Sequence, residues 1–209
     1  MQAGKKAPKG DRYYNKIAHR YEKKRQKQAW WHVEQQEMQS LLETLPKGLS
    51  VVDIPFGTGR FVPYYVERGF DISGLDASHD MLAAAKAALG GLYDQCRTVT
   101  GNAGMLPYAD EQFDLLVSTR FLRDIVVFAD AKKMLAEFAR VTSRYAIIQL
   151  GENPNDDLTP AEDDVMGSKM ARESVDLLLA DHDLVVKDRR FVHSVDGEGD
   201  IHHILCEKV

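Results

Sequence analysis

Val51-Val52-Asp53-Ile54-Pro55-Phe56-Gly57-Thr58-Gly59-Arg60 is the stretch that decides the fold. A short apolar run ends in an acid, a turn with two glycines follows, and a helical pattern opens at about Arg60. Glycine suits such a turn because it reaches backbone conformations closed to other residues and lets the main chain approach a ligand. A dinucleotide fingerprint would place a third glycine where Val62 stands and would have no special need of an acid at the strand end. Asp53 is such an acid, suited to a cationic amino-acid ligand or to the amides of its own loop. Farther on, Gly74-Leu75-Asp76 closes a second apolar run, and an acid there suits a ribose diol. Two acids around a glycine turn point to an adenosine carrying a positive group. Each alone equally suits a structural role, Asp53 capping the turn and Asp76 capping the helix near His79.

Outward from this stretch, apolar runs alternate with helical patterns, the sequence form of a parallel sheet covered on both faces. Strands are expected at Ser50 to Ile54, Asp71 to Leu75, Arg97 to Thr100, Phe113 to Ser118 and Tyr145 to Leu150. Helices are expected at about Arg60 to Arg68, His79 to Ala88 and Ala131 to Arg140, the crossovers of βαβ units. Thr159-Pro160 is a good helix start, predicting a helix to about Asp181. Leu184 to Val192 and Ile201 to Cys206 flank a turn at Asp196 to Asp200 and read as a final antiparallel hairpin. The fold class is therefore α/β, a doubly wound sheet of seven strands. Before it, Asp11 can cap one helix, and a second runs from about Gln28 to Leu45 before Pro46 and Gly48.

The chain of 209 residues, 44% of them apolar, has the composition of a globular protein with its own core. Residues 1–10 read as a mobile basic tail and 11–209 as one domain, with 11–47 helical and 48–209 the sheet core. The net charge of −5 hides an asymmetry: Met1 to Gln28 holds ten basic and two acidic residues, leaving 17 basic against 30 acidic elsewhere. A lysine-rich leader of that kind suits a solvated helix and equally an attraction for phosphates. Cys96 and Cys206 form no CxxC pair, and no Cys/His set supports a metal. His202 and His203 should point to opposite sheet faces and, with His193, serve the fold. No apolar run is long enough for a membrane span, so residence in the cytoplasm is the default expectation.

The motifs together resemble the class I S-adenosylmethionine-dependent methyltransferases, in their small single-domain bacterial form with a Rossmann-like sheet. The glycine motif is matched by Asp53, Pro55, Gly57 and Gly59, with Pro55 where the first glycine is usual. Asp76-Ala77 with Met81 matches the acid after the second strand and the residue beside the adenine, although Met81 alone also suits a core. Gly101-Asn102-Ala103 and Leu106-Pro107-Tyr108 match the third motif, placing Asn102 and the Ala103 amide at the adenine edge. The resemblance implies S-adenosyl-L-methionine as cofactor, S-adenosyl-L-homocysteine as product, and Thr119 among the cofactor-binding residues. It also implies a leader, Tyr13 to Tyr21, in which Tyr21 lies over the methionine part; Tyr13 and Tyr14 suit either substrate contact or packing on the sheet.

Methyl transfer from a sulfonium needs mainly alignment and exclusion of water, and a hydroxyl acceptor also needs a base. The acceptor loop of the family corresponds here to Thr119-Arg120-Phe121-Leu122-Arg123-Asp124, without the histidine many relatives carry. Asp124 is then the candidate base, with Arg123 and His19 as further catalytic candidates, and Arg120 and Arg123 suit an anionic acceptor. A structural salt bridge between Arg123 and another acid is an equal reading. No Asn-Pro-Pro-Tyr sequence ends the fourth strand and no Pro-Cys pair is present, which disfavours methylation of nucleic-acid bases. A small-molecule acceptor methylated on oxygen or nitrogen is the expectation. An RNA-directed enzyme using the basic leader and a non-catalytic binding module of the same fold are the alternatives.

Overall fold

The computed structural model describes residues 29–195 and 199–209. Helix α1 (Ala29–Thr44) precedes β1 (Ser50–Asp53), α2 (Val62–Glu67), β2 (Asp71–Asp76), α3 (His79–Leu89) and β3 (Cys96–Thr100). Then come β4 (Phe113–Ser118), the short α4 (Leu122–Ile125), α5 (Phe128–Val141), β5 (Thr142–Glu152), α6 (Arg172–Ala180), β6 (Leu184–Val195) and β7 (Gly199–Lys208). The strands form one seven-stranded sheet in the order β3-β2-β1-β4-β5-β7-β6. Strands β1 to β5 are parallel, and β7 runs antiparallel to both β5 and β6. The expected α/β doubly wound sheet with an antiparallel C-terminal hairpin is what the chain forms.

Successive strand residues serve opposite faces, which explains the continuous apolar runs. Val51 and Leu115 pack with Met38, Leu41 and Leu42 of α1 and Leu82 of α3 on one face. Their neighbours Val52 and Leu116 pack with Leu135 and Phe138 of α5 and Leu179 of α6 on the other. Ser78 caps α3 by accepting the Met81 amide at 3.3 Å. Among the described residues no helix is long and apolar enough to cross a membrane.

Several boundaries differ from expectation: β6 runs on to Val195, β7 spans Gly199–Lys208 and α5 starts at Phe128. β5 starts at Thr142 and runs on to Glu152 because β7 pairs with it from Tyr145↔Glu207 to Glu152↔Asp200. The helix expected from Pro160 forms only over Arg172–Ala180. Its first part gives its backbone to distant partners instead: Asp164 O accepts from Phe128 N, Glu162 O from Ala129 N, and Gly167 N donates to Arg123 O. Met166 and Met170 are buried in the core beside α5, so tertiary packing overrides a local helix signal here.

Candidate functional site

Strand order reverses between β1, whose chain continues to β2, and β4 on its other side, and in open α/β sheets the crevice beyond the carboxyl ends at such a point receives ligands. A cavity of about 560 Å³ lies there. Asp53, Pro55 and Gly57 reach it from β1, and Asp76, Ala77 and Met81 from β2. Asn102 and Ala103 follow β3, and Thr119 and Arg120 follow β4. Sequence reasoning thus brings ten of its residues to one wall. Gly59 is not on that wall: at φ +68° it shapes the turn, and a Cβ there would come within 2.5 Å of Leu89 Cδ1. Gly57, at φ +57°, sits on the wall beside Met81.

Asp76 closes the glycine turn. Its Oδ2 accepts the Gly57 amide and its Oδ1 the Ser78 amide, both at 2.8 Å. Burial raises its pKa and the two amides oppose that rise. Each carboxylate oxygen keeps a further lone pair, so the same group can hold the turn and a diol. Asp53 is buried, and its Oδ2 accepts the Tyr65 hydroxyl at 3.1 Å rather than an amide of its own loop. Desolvation pushes its pKa up to about 8, against the lowering effects of Tyr65 and Arg60.

A folded-state pKa above the unfolded value of 3.8 means that Asp53 contributes stability below that value and loses it as pH climbs toward about 8. Asp53→Asn is neutral throughout. Relative to it, the parent protein should lose Tm between about pH 5 and pH 8, and parallel melting curves for the two proteins across that window would refute a buried neutral acid.

A basic cluster borders the cavity. Glu34 of α1, 1% exposed, receives Arg60 Nη1 at 2.5 Å and Arg120 Nη2 at 2.6 Å on the same oxygen. Arg120 Nε and Gln149 Nε2 donate to its other oxygen, and His203 Nε2 donates to the Glu34 carbonyl at 3.2 Å. Arg60 Nη2 lies 3.4 Å from Thr119 Oγ1. Arg120 adopts φ +55°, its amide donating to Gln149 Oε1, and its guanidinium lies 4.1 Å above the Trp30 ring. Trp30 stacks in turn on His193. Trp31, Phe61 and Phe121 complete the apolar wall.

The expected acceptor pair lies elsewhere. Arg123 binds Asp124 at 2.5 Å, and neither is on the cavity wall. The contact of Arg123 is a salt bridge, though to the adjacent Asp124 and not to another acid. Tyr13, Tyr14, His19 and Tyr21 lie outside the described residues. Sequence reasoning missed Glu34, Arg60, Gln149 and the two tryptophans; the Arg60 that closes the glycine motif was the available signal. Among the described residues no group of His, Cys, Asp and Glu is arranged to hold a metal ion.

The donor set fits S-adenosylmethionine on grounds of chemistry. Asp76, a buried acid with spare lone pairs beside two amides, is of the kind that accepts from a diol, Asp53 is a second buried acid on the same wall, and Met81, Ala103, Ile125 and Met134 add apolar surface to it.

Comparison with known proteins gives the same picture. Residues 52–148 match the family model described as a methyltransferase domain. The chain is 35% identical over 95 residues to a demethylmenaquinone methyltransferase of Renibacterium salmoninarum, covering 46% of this chain and 37% of that protein. The match thus spans well under half the length of that curated relative. In fold, the chain is similar to the Burkholderia thailandensis 1,6-didemethyltoxoflavin-N1-methyltransferase with bound 1,6-didemethyltoxoflavin and S-adenosylhomocysteine. The TM-score is 0.75 at 14% identity, over 100% of this chain and 93% of that one. The magnesium protoporphyrin IX methyltransferase of Synechocystis with bound cofactor gives 0.63 at 16% identity, over 85% and 80%.

Proposed function

We propose that this chain, whose residues 52–148 are a class I S-adenosylmethionine-dependent methyltransferase domain, transfers the cofactor's methyl group to a small-molecule acceptor. The observation that carries the reading is one cavity whose lining unites two unlike sets of residues, the acids Asp53 and Asp76 with the glycine turn, and Arg120 with Trp31 and Phe121. The cofactor supplies an activated methyl on a sulfonium. The protein's share is to orient and dehydrate: Asp76 would hold the ribose hydroxyls, Asp53 the amino group, and Asn102 with the Ala103 amide the adenine edge. Two of the similar proteins are named for flat ring substrates, and a slot walled by Trp31 and Phe121 suits that shape.

Roles for the leader stay with the family resemblance: Tyr21 over the methionine part, and Tyr13, Tyr14 and His19 toward the acceptor. In this reading residues 11–47 form a lid on a single domain spanning 11–209, of which α1 is the described portion. Arg123 and Asp124 then serve the acceptor loop by bracing it, since Arg123 is tied to Asp124 and to the Gly167 amide.

The test is to incubate the protein with methyl-labelled cofactor and cell extract and to identify labelled products by mass. A labelled small molecule is expected. Label confined to RNA would overturn the acceptor class, and S-adenosylhomocysteine binding with no labelled product would make the chain a binding module.

A further inference from the structure

Among the described residues, the two arginines beside the cavity have a single carboxylate partner between them. Arg60 and Arg120 both bond one oxygen of Glu34, so two cations share one buried anion. The fourth member of the group, Gln149, is neutral. Of the other acids on the wall, Asp53 accepts the Tyr65 hydroxyl and Asp76 the Gly57 and Ser78 amides, and neither bonds a guanidinium. Arg120 is 9% exposed, stands on the cavity wall, and among the described residues its Nη1 has no hydrogen-bond partner. Each of these is costly in a buried site: a counter-ion shared by two cations because of desolvation, an unmet N–H because its bond to water has been given up. A cofactor sulfonium would add to the same positive field.

We infer that the acceptor is a small ring compound bound as its conjugate base, with its negative charge against Arg120 and Arg60 and its ring against Trp31 and Phe121. This rests on the methyl-transfer reading and names the acceptor class within it. An acceptor that arrives ionised changes what the protein must do. A lone pair of the anion forms the new bond to the methyl carbon, the carbon–sulfur bond breaks, and its pair stays on sulfur as a neutral thioether. No proton has to leave in that step. This accounts for an acceptor loop whose one carboxylate, Asp124, is bound to Arg123 off the wall. Arg120 is the specificity residue of the proposal. Glu34 is a positioning residue, because it holds the two guanidinium groups together against their mutual repulsion.

Equilibrium dialysis in saturating S-adenosylhomocysteine tests the inference with two ring probes of similar shape, 2,4-dinitrophenolate and its neutral methyl ether. The phenolate should bind at least about tenfold tighter than the ether, the scale of a buried charge-assisted contact. Arg120→Met should abolish that preference while affinity for S-adenosylhomocysteine stays within about twofold. Arg120→Lys, which keeps the charge and puts less strain on Glu34, should keep part of the preference. Equal binding of phenolate and ether by the parent protein, or a preference that survives Arg120→Met, would overturn the inference. Calorimetry on the parent with S-adenosylhomocysteine alone keeps the two readings apart: if it binds while the probes show no preference, the anionic acceptor falls and the methyl-transfer reading stands.

Discussion

In Asp76→Ala, affinity for S-adenosylhomocysteine should fall by about a hundredfold or more, the equivalent of about 3 kcal/mol for two charge-assisted hydrogen bonds at the low end of their range. The expectation is large because the group has two tasks. Its oxygens take the Gly57 and Ser78 amides, so truncation frees the glycine turn and the entry to α3 while also removing the partner of the ribose. Asp76→Asn separates the two tasks, since an amide oxygen can still accept one backbone bond but the second position becomes a donor. Titration calorimetry on both variants decides the matter, with circular dichroism as the control for folding. An Asp76→Ala protein that is folded and binds as the parent does would sink the assignment.

Glu34→Ala should be the most destabilising single change in α1. It leaves Arg60, Arg120 and Gln149 facing one another in a buried site, and breaking a buried ion pair from one side costs about 3 to 5 kcal/mol. For a chain of 209 residues that corresponds to a Tm lower by about 10 °C. Glu34→Gln keeps the shape and part of the hydrogen bonding, so it should fall between the two. Thermal unfolding checks both variants, and a shift under about 2 °C in Glu34→Ala would mean that the cluster is hydrated and weak.

The contrast between these residues explains what could be read from the sequence. Asp53, Gly57 and Asp76 were legible because each sits at a fixed offset from a strand that is apolar on both faces, so the strand announces the residue. Glu34 was not. Within Trp30 to Thr44 a glutamate reads as part of a solvated helix face, and its burial depends on partners 26, 86, 115 and 169 positions away. No local pattern encodes such pairings. The same limit explains the segment after Pro160. Its helix start signal is real, yet the carbonyls of Glu162 and Asp164 are taken by amides at the start of α5, and a local propensity of a few tenths of a kcal/mol per residue yields to that. The adjacent pair Arg123 and Asp124 shows the intermediate case, in which the sequence offered two readings of equal weight and neither named the ion pair that the two residues form with each other.

The place of β7 has a consequence for how the protein is made. Gly199–Lys208 is synthesised after β5 and β6, yet it lies between them, with β5 paired on one side and β6 on the other. Until the ribosome has delivered this segment, the flank of β5 is an open strand edge, a template for pairing with other nascent chains. It also carries His203, which reaches back to the Glu34 carbonyl at the opposite end of the described chain. Translation can therefore deliver the described residues of the cavity wall, from Trp31 to Met134, well before it delivers the strand that bonds α1. An arrested chain ending before Gly199 would carry that wall without the hydrogen bond from His203 that fastens Glu34 beside it.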